Sequence, residues 1–288
     1  MNNLSILGTG LLGGAVASRL QDRHFQVQVW NRTPARAAPL AALGIQVMPS
    51  AAAAVAAAPM TLLLLSDAAA IRTTLLAADC QVSLTDRIIV QMGTIAPAES
   101  RTLAAAVARA GGEYLEAPVL GSLPEARAGR LILMAGGDLD LYQRCLPLFE
   151  ALSQTPRRIG EVGQAASLKL AMNQLIAGLT ASFAYSLGLA RAEGLDVEQF
   201  MAVLRTSALY APTFDKKLGK YLAHDYGQAN FPLKHLGKDI ALFRQVAASA
   251  GMDTSALAAL EAACARAQAA GLGDADYAAL YEALVNGH

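Results

Sequence analysis

Residues Ser5 to Gly14 read "SILGTGLLGG", and Gly8, Gly10 and Gly13 within them spell G-x-G-x-x-G. The pattern alone fits either a tight turn or a phosphate cradle, and its flanks decide between them. Leu4–Leu7 is a short apolar run suited to a buried strand, and Leu11–Leu20 suits a helix. In that setting Gly8 permits the turn, Gly10 lets a pyrophosphate approach the backbone, and Gly13 lets helix and sheet pack closely. The helix start at Leu11 and Leu12 would offer unpaired N–H groups and a positive dipole end to the phosphates.

The end of the second strand selects the dinucleotide. A fold that holds NAD usually places an acid there, about 20 residues on, for the ribose 2′-hydroxyl. This chain reads "VWNRTPARA", with Asn31, Arg32 and Thr33 and no acid. A guanidinium can grip a 2′-phosphate that a carboxylate would repel. The expected cofactor is NADP(H).

Further on, Gln26–Trp30, Met60–Leu65 and Ile88–Met92 read as buried parallel strands, and Leu11–Gln21, Ala51–Ala57 and Pro97–Ala110 as helices. Such alternation implies a doubly wound parallel sheet. Tyr114–Val119 and Leu131–Ala135 extend the strand series, joined by "GSLPEARAGR", and one more strand is expected near Arg158–Gly160. After Gly163 the pattern is helical. The expected fold class is α/β, with a Rossmann domain over 1–163 followed by an all-helical domain over 164–288.

Of 288 residues, 54% are hydrophobic and 16% charged, ample for a large core. Basic and acidic residues balance at 23 each, so nothing draws the chain at long range to nucleic acid or an anionic membrane. A small-molecule ligand fits better. Cys80, Cys145 and Cys264 are scattered and read as reduced, packed thiols, and no metal site is expected. His24, His224, His235 and His288 are isolated and suit solvated or structural roles, although His235 falls inside "PLKHLGKD". The start lacks the basic and apolar regions of a secretory signal. The apolar run Ala51–Leu65 is short and split by Pro59, and Gln164–Glu193 carries Lys169, Asn173, Gln174 and Arg191. A soluble, cytoplasmic protein is expected.

Five segments in order, "GTGLLGGAVASRL", "VQVWNRTPARA", "EAPVLGSLPEARAGRLILMAGG", "GEVGQAASLKLAMNQL" and "FPLKHLGKD", resemble the β-hydroxyacid dehydrogenases, relatives of 6-phosphogluconate dehydrogenase. The resemblance runs from Ser5 to about Tyr281. With "AGLGDADYAAL" it is nearest to the glyoxylate and succinic semialdehyde reductases of that family.

The resemblance implies a catalytic role for Lys169, in "ASLKLAMN", with Asn173 as its partner one turn later. Residues i and i+4 share a helix face, although without the resemblance a surface lysine on an amphipathic helix is the commoner reading of Lys169. The resemblance places the substrate carboxylate on the backbone N–H groups of Gly121 and Ser122 in "PVLGS". Leu120 stands where the family usually has a serine that also donates. Its loss costs about 1.5–3 kcal/mol of acid binding unless Ser122 substitutes or the substrate is less acidic. In "QMGTIAP", Gly93 replaces a common serine, while Thr94 keeps its place near nicotinamide and substrate. Ser66 and Lys238 fall at cofactor positions, and Phe231 and Asp239 beside the substrate. The residues themselves leave open a core role for Phe231 and a local ion pair for Lys238 and Asp239.

The implied activity is NADPH-dependent reduction of small carboxylated aldehydes or 2-oxo acids, in a homodimer or homotetramer. Imine reduction is an alternative that Lys169 disfavours and the apolar Leu120 favours. Oxidation of 3-hydroxyisobutyrate is another, disfavoured in its NAD form by Arg32. A non-catalytic NADP(H) sensor is a third, against which Lys169 and Asn173 argue.

Overall fold

A computed structural model describes residues 2–286; Met1, Gly287 and His288 lie outside the described residues. The chain forms two compact units, one running to Lys169 and the other starting at Leu170. The strands of the first are β1 (Asn3–Leu7), β2 (Gln26–Trp30), β3 (Gln46–Val47), β4 (Met60–Leu63), β5 (Ile88–Gln91), β6 (Glu113–Glu116), β7 (Val119–Leu120), β8 (Ile132–Gly136) and β9 (Arg157–Gly160). They form one sheet in the order β3-β2-β1-β4-β5-β6-β8-β7, with β9 beside β8.

From β1 to β6 every pairing is parallel. The order reverses beside β1, the switch point at which such sheets take ligands outside the carboxyl ends of their strands. Both faces are covered, as parallel sheets require. Leu4 and Ile6 pack on one face with Val16, Leu20 and Phe149, and Leu7 packs on the other with Val55, Ile71 and Leu103. The buried Ser5 hydroxyl donates to Ala54 O at 2.5 Å.

The distal part differs from the expected parallel series. β8 runs antiparallel to β6 and to β7. The connection between β7 and β8 holds only the short helix Leu123–Ala128, too little chain for a parallel crossover. The expected strand Tyr114–Val119 is broken at Ala117 and Pro118, where proline lacks a ladder donor. Helices at Pro34–Ala41, Ala68–Leu75 and Leu139–Leu152 join those expected. The last two begin at aspartate caps, with Asp67 accepting from Ala70 N–H at 2.7 Å and Asp138 from Leu141 N–H at 2.9 Å.

The glycine turn is sterically closed. A Cβ on Gly13 would stand 2.0 Å from Gly8 O, and one on Gly8 2.4 Å from Leu64 O. Gly13→Ala is expected to lower stability by about 1–3 kcal/mol, the usual penalty of overpacking, and to weaken cofactor binding. Urea denaturation and a nucleotide titration check both effects.

The second unit is helical. Most of the 29-residue helix Gln164–Ala192 belongs to it, with Val197–Thr206, Pro212–Ala223, Leu233–Ser249, Ser255–Ala267 and Leu280–Val285. The long helix is apolar enough by composition to span a membrane. Its buried residues Asn173, Ala177, Thr180, Ala184 and Leu187 recur at helical spacing, which is the pattern of a helix packed by one face on a core. Phe183 stacks on Phe214 at 4.6 Å and contacts Tyr221 at 5.6 Å. All three cysteines are free and buried, and burial pushes the thiols of Cys80, Cys145 and Cys264 up to about 11, 12 and 12. They are packing residues.

Candidate active site

The turn after β1 has the features of an anion cradle. Gly8 adopts φ +102° and donates to Trp30 O at 2.9 Å, tying the turn to β2. Gly10 precedes the helix Leu11–Asp22 with no side chain to cap it, and a Cβ there would meet nothing within 4 Å. The first-turn donors at Leu11 and Leu12 therefore face no local cap. Thr9 Oγ1, buried in this turn, has no hydrogen-bond partner. These residues fit the pyrophosphate of a dinucleotide.

At the end of β2, Asn31 has a job the sequence did not disclose. Its Oδ1 accepts from Thr9 N–H at 3.0 Å and its Nδ2 donates to Thr33 O at 2.9 Å, so the amide braces the glycine turn. Arg32 and Thr33 are exposed, as is Arg36 in the first turn of the next helix. Ser66 is exposed and donates to Asp67 at 2.8 Å. Thr94 is half-buried just after Gly93. The glycine at 93 is a steric demand: a Cβ there would lie 2.8 Å from Leu65 O, and the Gln91 amide clasps the Gly93 backbone at both N–H and C=O.

The "PVLGS" loop, expected to receive a carboxylate, is held by bonds within the chain. Leu120 is half-buried and pairs with Ile132, and Gly121 adopts φ +121°. Both donors of Ser122 are engaged by one oxygen of Glu125, the N–H at 2.7 Å and the hydroxyl at 2.6 Å. In the ligand-free chain both donors of Ser122 are thus held by an acid of the chain itself.

Lys169, half-buried, lies in the second turn of the long helix. That helix starts on a buried acid. Glu116, 1% exposed at the end of β6, accepts at Oε1 from the N–H groups of Gly163 (2.8 Å), Ala165 (2.9 Å) and Ala166 (3.1 Å). A carboxylate at a helix N-terminus meets both the orphan donors and the dipole. Its Oε2 accepts from the buried Ser100 hydroxyl, which itself accepts from Tyr114 OH at 2.9 Å. Gly136, opposite Glu116 in the sheet, leaves room for the carboxylate, since a Cβ there would come within 2.5 Å of it. A lone acid in the apolar run "YLEAPVL" was the available sign of this role.

In the helical unit, Asn173 Nδ2 donates to Asp239 Oδ2 at 2.6 Å, and both residues are buried. Lys238 Nζ forms an ion pair with Asp239 Oδ1 at 2.9 Å. Asn173, Lys238 and Asp239 are thus brought together, and the Phe231 ring lies 5.9 Å from Tyr277 and 6.4 Å from His235. Burial, and then the Lys238 ammonium, hold His235 below the usual imidazole value. Among the described residues no group of acids, histidines and cysteines could hold a metal ion.

The NAD-binding domain of 6-phosphogluconate dehydrogenase matches residues 3–163, and the NAD-binding domain of NADP-dependent 3-hydroxyisobutyrate dehydrogenase matches 163–284. The chain belongs to the β-hydroxyacid dehydrogenase family. It is an NAD(P)-dependent oxidoreductase of that family. Its relatives include glyoxylate/succinic semialdehyde reductase 1 of Arabidopsis thaliana, 30% identical over 287 residues, which cover 98% of each chain. The chloroplastic reductase 2 of the same plant is 31% identical over 284 residues, covering 98% of this dehydrogenase and 79% of the relative. A Mycobacterium tuberculosis 3-hydroxyisobutyrate dehydrogenase shares the fold, with a TM-score of 0.87, 23% identity and 99% of each chain covered.

Proposed function

We propose that this dehydrogenase is an NADPH-dependent reductase of small aldehydes and 2-oxo acids, with Lys169 as proton donor. The observation that carries the reading is its full-length similarity to two reductases named for glyoxylate and succinic semialdehyde. Bound nicotinamide supplies the hydride. Lys169 gives a proton to the carbonyl oxygen as negative charge develops there, and the ammonium becomes an amine. Asn173, one turn later, offers an amide oxygen as the acceptor that an ammonium needs. Its nitrogen end is committed to Asp239, which sets the orientation of the amide. Thr94 and the Gly121 backbone are assigned to the substrate, and Ser66 and Lys238 to the cofactor.

Following NADPH oxidation at 340 nm with glyoxylate, succinic semialdehyde, butanal and a cyclic imine tests this reading. Reduction of at least one aldehyde supports it. Turnover confined to the imine would replace it with imine reduction, and tight NADPH binding without any turnover would point to a sensor.

Arg32 is assigned to the 2′-phosphate. Arg32→Ala is expected to narrow the NADPH-over-NADH preference by about 1–3 kcal/mol, the worth of a hydrogen bond to a charged group. Dissociation constants for both cofactors check it, and equal affinities in the unmodified protein would remove Arg32 from the phosphate.

Leu120→Ser adds a hydroxyl donor where Leu120 has none, beside a Ser122 whose own donors are bonded to Glu125. It is expected to lower KM for glyoxylate and succinic semialdehyde about tenfold to a hundredfold, with no gain for butanal. An unchanged KM for both acids would place Leu120 away from the substrate carboxylate.

A further inference from the structure

The buried chain Tyr114–Ser100–Glu116 ends on the first turn of the helix that carries Lys169, and no step of the reaction uses it. We propose that Glu116 is a positioning residue, whose reach from the end of β6 sets the axial placement of Lys169. The proposal rests on the reading of Lys169 as proton donor.

Three features support the assignment. Glu116 meets three donors, at Gly163, Ala165 and Ala166, with one oxygen, so a shift of the helix along its axis breaks several bonds together. The other oxygen is anchored by Ser100, and the empty space at Gly136 is filled by the carboxylate itself, so Glu116 cannot follow such a shift. Lys169 comes three residues after Ala166, the last of the bonded donors, and is carried rigidly with the turn. A displacement of about 1 Å at a reacting group can cost on the order of 10²-fold in rate.

Glu116→Asp keeps the charge and shortens the reach by one methylene. Glu116→Gln keeps the reach and an acceptor oxygen and loses the charge. Both are assayed with the best aldehyde of the panel, in the unmodified protein and in Lys169→Ala. Glu116→Asp is expected to lower kcat about 10- to 100-fold with Lys169 present and less than twofold in Lys169→Ala, with NADPH affinity by fluorescence unchanged. Glu116→Gln is expected to retain most of kcat. Amide exchange over residues 163–169 should accelerate in Glu116→Asp and not in Glu116→Gln.

Equal losses in the two backgrounds would mean that Glu116 supports the fold generally, which overturns the proposal alone. A larger loss for Glu116→Gln than for Glu116→Asp would overturn it in favour of a charge effect. Ordinary turnover by Lys169→Ala would overturn both the proton-donor reading and this one. Should Glu116→Asp fail to fold, Ser100→Ala removes the anchor from outside the helix, and a kcat loss confined to the Lys169 background is again required.

Discussion

Lys169→Ala is expected to reduce carbonyl turnover about 10²–10⁴-fold, the usual worth of a positioned general acid, while NADPH binds almost as before. The hydride transfer leaves negative charge on the carbonyl oxygen, and without a donor that charge has to be met by water. The cofactor's phosphates are assigned to the turn at Gly8–Gly13 and its 2′-phosphate to Arg32, so removing Lys169 should leave most of the binding energy in place. Lys169→Arg sharpens the test. It keeps a cation but cannot release a proton at ordinary pH, so it should be nearly as impaired as the alanine variant. Steady-state constants at 340 nm and NADPH fluorescence titration separate the two effects. A variant with normal kcat would show that the proton comes from elsewhere.

The largest expected effect on stability lies within the helical unit. Lys217 and Asp276 form an ion pair with Nζ–Oδ distances of 2.6 and 2.7 Å, and their side chains are almost completely buried. The ammonium also lies 4.3 Å from the centre of the Tyr277 ring. Burial pulls the Lys217 pKa down, and Asp276 opposes that shift. Asp276→Ala strands a buried ammonium and should cost about 3–5 kcal/mol, read from the midpoint of urea denaturation. The pair Lys217→Met with Asp276→Leu removes both charges and should recover most of that loss, since apolar replacement of a buried pair is often neutral. If the single variant costs no more than an ordinary surface substitution, the ammonium finds water on its own and the pair contributes little.

Much of the dinucleotide half was legible because its signals are local. Gly8, Gly10 and Gly13 sit between an apolar run and a helix, and the alternation of strands and helices dictates a parallel sheet. The missing acid after β2 was likewise visible as Arg32. Parallel order failed only at β8, where the length of the connection, rather than the composition of the strand, sets direction.

What the sequence by itself determined was therefore the class of fold, the cradle and the residue types available for chemistry. Which donors are spent on the chain itself was decided only by tertiary structure. The sequence offers Ser122 and Asn31 as ligand contacts, and the fold shows that each is also bonded within the chain, Ser122 to Glu125 and Asn31 to Thr9. Glu116 was one acid in an apolar run, and its partners at Gly163, Ala165 and Ala166 are almost fifty residues away in the chain. Hydrogen-bond capacity is finite and is filled by neighbours in space. A sequence records which donors and acceptors exist, and only the fold settles which of them remain for a ligand.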